Sequence, residues 1–130
     1  MEFELKHNNR WIVSFPDEFN IHSYTIKSIK RPDLTSIISE RDNHMYWSDF
    51  KITFYDLVGF NITKTLEDKS KEFFVITLEY LDAVGSVIET LKYMCWLKEY
   101  KTDELDYTSP NDVKSLIYTT FGVSHLVDHT

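Results

Sequence analysis

Five histidines, a single cysteine and 21 acidic residues are the groups of this 130-residue chain able to bind a metal or move protons. A metal site needs them at short, repeated spacings such as His-Glu-x-x-His or Cys-x-x-Cys, so that one turn or helix brings two ligands together. His7, His22, His44, His125 and His129 form no such motif, and Cys95 has no second thiol to join. His125 and His129 stand at the i,i+4 spacing of a helical ligand pair, but a solvated tail is the favoured reading of both. Glu79, Glu89 and Asp106 serve acid–base chemistry only if folding converges them, and carboxylates on half-buried strands are more often solvated or ion-paired. Gly59, Gly85 and Gly122 are isolated, so no phosphate-cradling loop and no Gly-x-Ser-x-Gly elbow is present. These residues point away from an enzyme, with no catalytic residue, metal or cofactor expected.

A second chemistry, stacking on the bases of single-stranded nucleic acid, needs aromatic rings interleaved with a basic stripe. Trp47, Tyr55, Tyr93 and Trp96 lack that stripe, although Lys51 and Lys92 lie near them in sequence. The formal net charge is −7. That acid excess opposes tight gripping of a phosphate backbone, which requires a basic face to release counterions. It is compatible with a surface past which nucleic acid slides without sticking. Core and interface packing is the stronger reading of the rings, which make up 15% of the chain.

The elements that must position these residues are strands. Hydrophobic residues are 42% and charged residues 27%, the balance of a folded chain, and the length suits one domain over residues 1–130. Residues 1–9, polar and Asn-rich, read as a flexible arm. Arg10–Phe15 alternates around Trp11, Val13 and Phe15 and predicts a short strand; Ser23–Ile29 predicts a second and Leu34–Glu40 a third, short and near an edge or loop. Between Asn43 and Asp56, Phe50, Ile52 and Phe54 share one face while Asp49, Lys51 and Thr53 take the other. Leu57–Lys71 loses alternation and reads as a short helix or loop, with Glu67 and Lys71 at ion-pair spacing. Phe73–Leu81 puts Phe74, Ile76, Leu78 and Tyr80 on one face. A tight turn at Asp82–Gly85 then leads into Val87–Leu97, a long hairpin signal. After the polar break 109–112, Val113–Phe121 predicts the last strand. Val87–Leu97 and Val113–Phe121 are apolar on both faces, so each needs a second cover. Cys95 in such a run reads as a small buried hydrophobe. The start Met-Glu-Phe-Glu-Leu-Lys is unlike a signal peptide, and no apolar run approaches bilayer length, so cytoplasmic folding without membrane insertion is expected.

In this order the pieces resemble the tail-tube protein family of contractile-tailed phages, a fold similar to that of the secreted tube protein of type VI secretion systems. Asn9-Arg10-Trp11-Ile12-Val13-Ser14-Phe15-Pro16 looks like the family's opening strand, and Ser28-Ile29-Lys30-Arg31-Pro32 resembles the segment after its second. Trp47-Ser48-Asp49-Phe50-Lys51-Ile52-Thr53-Phe54-Tyr55 is similar to the central strand. The ending matches best: Phe74–Leu78, the turn Asp82–Gly85, Val87–Trp96 with Glu89, then Leu105-Asp106-Tyr107 and the last strand. The turn lacks the usual Asp-Pro-like sequence, and Leu57–Lys71 is shorter than in many tube proteins.

The resemblance implies a mainly β fold, an antiparallel sandwich or barrel with one short helix. It implies a structural virion protein whose copies self-associate into a ring, six to a layer, and stack into a phage tail tube assembled in the bacterial cytoplasm. Tail, sheath or baseplate proteins would be its neighbours, genome DNA would pass through transiently and non-specifically, and a tube initiator, completion protein or baseplate layer fits equally. Glu79, on the non-core face of its strand, is the lumen-facing candidate, with plain solvation on an outer face as the alternative. A monomeric β-barrel binding a small apolar ligand or a protein partner is the second reading of the same strands.

Overall fold

The computed structural model describes residues 6–41, 43–108 and 115–130. In chain order they form β1 (Trp11–Ser14), β2 (Ile26–Lys30), β3 (Leu34–Ile38), β4 (Asn43–Trp47), β5 (Phe50–Tyr55), α1 (Ile62–Asp68), β6 (Phe74–Leu81), β7 (Val87–Thr102) and β8 (Leu116–His129), with 3-10 turns at Asp17–Phe19 and Ser23–Thr25. A six-stranded sheet runs β1-β6-β7-β8-β5-β2, and β3 and β4 make a separate two-stranded hairpin. Every pairing is antiparallel. The fold is mainly β with one short helix, as expected.

Curvature comes from the two long strands. β7 and β8 span 16 and 14 residues, and their ladder shifts register at Lys92/Tyr93, Met94/Cys95 and Leu97/Glu99. Each bulge adds local twist and bends the strand that carries it. The sheet therefore curls until its first and last strands, β1 and β2, face each other across a groove lined by Trp11, Ile12, Ile26 and Ile29. The result is a nearly closed barrel.

Its interior is filled by the faces that the alternation marked. Phe50, Ile52 and Phe54 of β5 and Phe74, Ile76 and Leu78 of β6 are all buried, joined by Leu91, Tyr93 and Cys95 of β7 and Ile117 and Phe121 of β8. Phe15, Phe19, Phe54, Phe74 and Phe121 pack ring against ring, with Phe19 edge-on to Phe74 at 4.8 Å. Helix α1 buries Ile62 and Leu66, one turn apart, in this cluster. Asn61 caps it by accepting from the Lys64 N–H. The i,i+4 pair that forms on α1 is Lys64–Asp68, while Glu67 accepts from the Tyr100 hydroxyl on β7.

Several boundaries move. Ser23–Thr25 is a 3-10 turn whose Thr25 hydroxyl donates to the His22 carbonyl, so the second strand starts at Ile26. The segment from Asn43 is two strands broken at Ser48–Asp49. β7 runs on to Thr102 and β8 to His129. His125 and His129 are therefore ladder residues opposite Met94 and Leu91, solvent-exposed as expected but in a strand rather than a helix or a tail. The break 109–112 and Val113 lie outside the described residues, as do residues 1–5 of the arm. Of the rest of that arm, Lys6 bonds Glu89 and the Asn8 carbonyl accepts from the Trp11 indole.

The turn before β7 is built by Asp82. Its Oδ1 accepts from the N–H groups of Val84 and Ser86, and Gly85 follows at φ 89°, a conformation costly for any residue with a Cβ.

Candidate interaction surfaces

Three surfaces stand out among the described residues once the core is filled. The first is the pair of unpaired sheet edges. Among the described residues β1 bonds only β6 and β2 only β5 within the sheet, and the two strands flank one groove. The groove holds about 500 Å³ and is rimmed by Asn8, Asn9, Tyr24 and Lys27. Free edges of this kind are templates for pairing with another chain.

The second is the hairpin β3–β4. It is registered from Leu34↔Trp47 to Ile38↔Asn43. Its base is fastened to the barrel: the Ser48 N–H donates to the Asp33 carbonyl at 2.9 Å, and the Asp33 N–H to Ser48 Oγ at 2.8 Å. The Trp47 ring stands edge-on to Tyr93 at 5.5 Å, and Arg31, just before the hairpin, donates to the Tyr80 hydroxyl at 2.8 Å. Beyond the base every residue of β3 is exposed, and so are Met45 and Tyr46. Ile38 is 82% and Met45 68% exposed. Sequence reasoning placed β3 near an edge but missed this surface. The available signal was contiguous apolar pairs, Ile37-Ile38 and Met45-Tyr46, where a one-sided strand would alternate.

The third is the non-core face of β1, β6 and β7. A groove there is lined by Ser14, Asp17, Thr77, Glu79, Lys92 and Asp128. Glu79 sits opposite Thr90 on one side and Ile12 on the other, half-buried among polar neighbours. Glu89 pairs with Tyr80 one register step away, so it faces the other side of the sheet from Glu79. Asp106 is in the loop after β7, where its Oδ1 accepts from the Thr108 N–H and hydroxyl. The three carboxylates considered for acid–base work do not converge.

Glu89, near the start of β7, links the N-terminal arm to the end of β8. Lys6 Nζ lies 2.6 Å from its Oε1, and His129 Nε2 lies 2.9 Å from its Oε2. Lys6, then His129, hold the Glu89 carboxyl below its ordinary value. Lys6 also stands over the Tyr80 ring, 4.9 Å from its centroid. Inside this cluster burial pushes the Tyr93 phenol above its ordinary value, and its hydroxyl has no hydrogen-bond partner among the described residues. Cys95 is buried with its thiol pushed up to about 12. The four rings considered as a stacking platform do not share one face: Tyr93 is core, Trp47 stands edge-on to it, Tyr55 ends β5, and Trp96 lies on the non-core face. Among the described residues no group of His, Cys, Asp and Glu is placed to hold a metal ion. No described helix is long and apolar enough to cross a membrane.

No protein-family model matches the sequence, and no curated protein does. Solved structures match it over almost its whole length. A chain of the sheath/tube terminator of the PVC extracellular contractile injection system, in its extended state, superposes with a TM-score of 0.70 at 13% identity, covering 97% of this chain and 96% of that one. A chain of the anti-feeding prophage tube-terminating cap gives 0.70 at 11% identity, covering 100% and 93%. Hcp1 from Flavobacterium johnsoniae gives 0.61 at 10% identity, covering 93% and 98%. At these identities the likeness is one of fold: the chain has the Hcp-like, tail-tube-like fold.

Proposed function

With the tail-tube-like fold as premise, we propose that the protein is a structural subunit of a tail-like injection tube. Copies join side by side into a ring, six to a layer, and the layers belong to a tube or to its initiating, completing or terminating end. The observation that carries this reading is the unfinished sheet. Among the described residues β1 and β2 leave their outer edges without a strand partner across an open groove, and a ring of copies pairs such edges. The filled barrel interior, with Tyr93, Phe50, Phe54 and Phe121 at its centre, disfavours the small-ligand reading of the same strands.

In such a ring the polar groove carrying Glu79, Asp17 and Asp128 lines the lumen, and among the described residues lining it Lys92 alone opposes the acids. Repeated through a stacked tube, this charge keeps passing DNA from adhering. Screening over ~8 Å at physiological salt makes any single carboxylate minor. Sheath or baseplate proteins are the neighbours, and the virion is the location.

Native mass spectrometry over a range of concentrations, followed by electron microscopy of whatever assembles, tests the reading. Closed rings of identical subunits are expected. A monodisperse monomer up to the highest soluble concentration, with no rings in the micrographs, overturns it. A ring with a basic inner wall removes the electrostatic part alone.

A further inference from the structure

One carboxylate holds two distant stretches of the chain. Glu89 stands two residues before Leu91, which is registered opposite His129, so the Glu89 and His129 side chains share a face of the ladder. Between them the Thr90 and Thr130 backbones exchange two N–H to carbonyl bonds, at 2.9 and 3.1 Å, which fixes the end of β8 against β7. His129 Nε2 takes one oxygen of Glu89 and Lys6 Nζ takes the other. Lys6 belongs to the arm that precedes β1. That arm turns between His7 and Arg10 and joins the sheet at Arg10, whose carbonyl accepts from the Leu81 N–H. Upstream of the turn, the side-chain contacts among the described residues are those of Lys6, with Glu89 and with the face of Tyr80. Asn8 and Asn9 line the groove flanked by β1 and β2, so Lys6 holds the arm along that groove.

Charge is unevenly matched at this site. Lys6 and Arg31 both stand over the Tyr80 ring, 4.9 and 5.6 Å from its centroid, and Arg31 also donates to the Tyr80 hydroxyl. Against these two permanent cations the described residues place a single carboxylate, Glu89. Tyr80 of β6 and Tyr93 of β7 contribute phenols, a group uncharged at neutral pH. Glu79, Asp128 and Thr130 line the groove on the opposite face. His7, beside Lys6 in the arm, is the second imidazole of the region. Histidine is the side chain that ordinarily changes charge between about pH 5 and 8. With His129 neutral, its Nε2–H donates an uncharged hydrogen bond and Lys6 has the carboxylate's charge to itself. With His129 protonated, two cations share one carboxylate beside Arg31, and like charges so placed repel. The Lys6 and His129 side chains are 50% and 48% exposed, so the Lys6 ion pair is a weak one and a single neighbouring charge shifts its population.

We infer that Glu89, Lys6 and His129 form a pH-operated latch: the arm lies along the groove while His129 is neutral and is released when His129 takes up a proton. The latch stands on these side chains and does not depend on the subunit reading. Its direction follows from the charge count, since each proton taken up at this site favours release. Protonation of Glu89 itself also frees both partners, but only at lower pH, because Lys6 and His129 hold that carboxyl below its ordinary value. Between the two steps the arm responds to His129. Release lifts the Asn8–Asn9 rim from the groove that β1 and β2 flank.

The Lys6 side chain reports the latch directly, because the Tyr80 ring beneath it moves the Lys6 methylene proton resonances upfield. An NMR titration of the full chain from about pH 8 to about pH 5 follows those resonances and the His129 ring proton together. The expected result is loss of the Lys6 shift along the His129 titration curve, with rising mobility of the His7–Asn9 amides. His129→Gln, neutral and still a donor, should keep the shift over the whole range. His129→Lys, permanently charged, should lack it even at the alkaline end, as should Glu89→Gln. A Lys6 shift that persists while His129 titrates overturns the latch. So does one that survives in His129→Lys. Loss of the shift in His129→Gln on the parent's curve overturns it too, and hands the response to His7. His129→Arg replaces His129→Lys should that variant lack the β-type circular dichroism of the parent. For assemblies too large for these resonances, hydrogen exchange of the peptide spanning residues 6–10, corrected for the pH dependence of intrinsic exchange, gives the same comparison.

Discussion

Across the β7–β8 ladder Trp96 is registered opposite Gly122, and its indole occupies the space where a side chain at position 122 would begin. A Cβ there would overlap the ring carbons of Trp96. The glycine's φ is not in the left-handed region, so its role is close approach rather than backbone freedom. The indole also packs against Phe73, at 5.7 Å between centroids. Trp96 and Phe73 thus supply part of the second cover that the doubly apolar strand requires. Gly122→Ala is expected to cost about 1–3 kcal/mol, the range of overpacked sites. In a Trp96→Ala background the same change should cost almost nothing, because contacting residues are non-additive. Denaturant midpoints of the four proteins check this; equal costs in both backgrounds would show that the indole is not what excludes the methyl.

Ile76 of β6 is fully buried in the core cluster, registered opposite Tyr93 of β7. Ile76→Ala should lose about 2–5 kcal/mol, the range for truncating a large side chain in a packed core. Thr77→Ala, one step along on the non-core face, should cost much less. An unchanged unfolding midpoint for Ile76→Ala would contradict the register, because a one-residue slip exchanges the two faces.

Glu89 bonds both Lys6 and His129, and its carboxyl is held below the ordinary 4.5. A depressed carboxylate contributes stability above its unfolded value, and the contribution disappears as pH falls through the folded value. Stability should therefore drop below about pH 4.5, and Glu89→Gln should flatten that part of the profile while lowering stability at neutral pH. Thermal unfolding midpoints from pH 3 to 7 make the comparison. Parallel profiles for the two proteins would remove Glu89 from the acid response.

The Cys95 thiol is buried in the core and pushed up to about 12, so it carries almost no thiolate at neutral pH. Folded protein should leave Ellman's reagent unreacted at pH 8, and one thiol should appear on adding denaturant. Rapid reaction of the folded form would place Cys95 outside the core.

The local alternation of the sequence determined the core by itself. Period two at Phe50–Phe54 and Phe74–Leu78 left one face that had to be buried, and no tertiary information was needed to name it. The loss of that period after Leu57 located the one helix, and Asp82 with Gly85 located the turn before β7. Tertiary structure decided the rest. Nothing local distinguishes Val87–Leu97 from a strand ending at Thr102, because Lys98–Lys101 is polar and continues only through its pairing with β8. His125 and His129 read as a tail until β7 offered them ladder partners. Which edges stay unpaired depends on where the bulges of β7 and β8 bend the sheet, and bulges are set by cross-strand register rather than by residue type. The opposed faces of Glu79 and Glu89 follow from that register too. The exposed hairpin was hidden for a related reason: an apolar strand looks the same in sequence whether its cover comes from its own chain or from another.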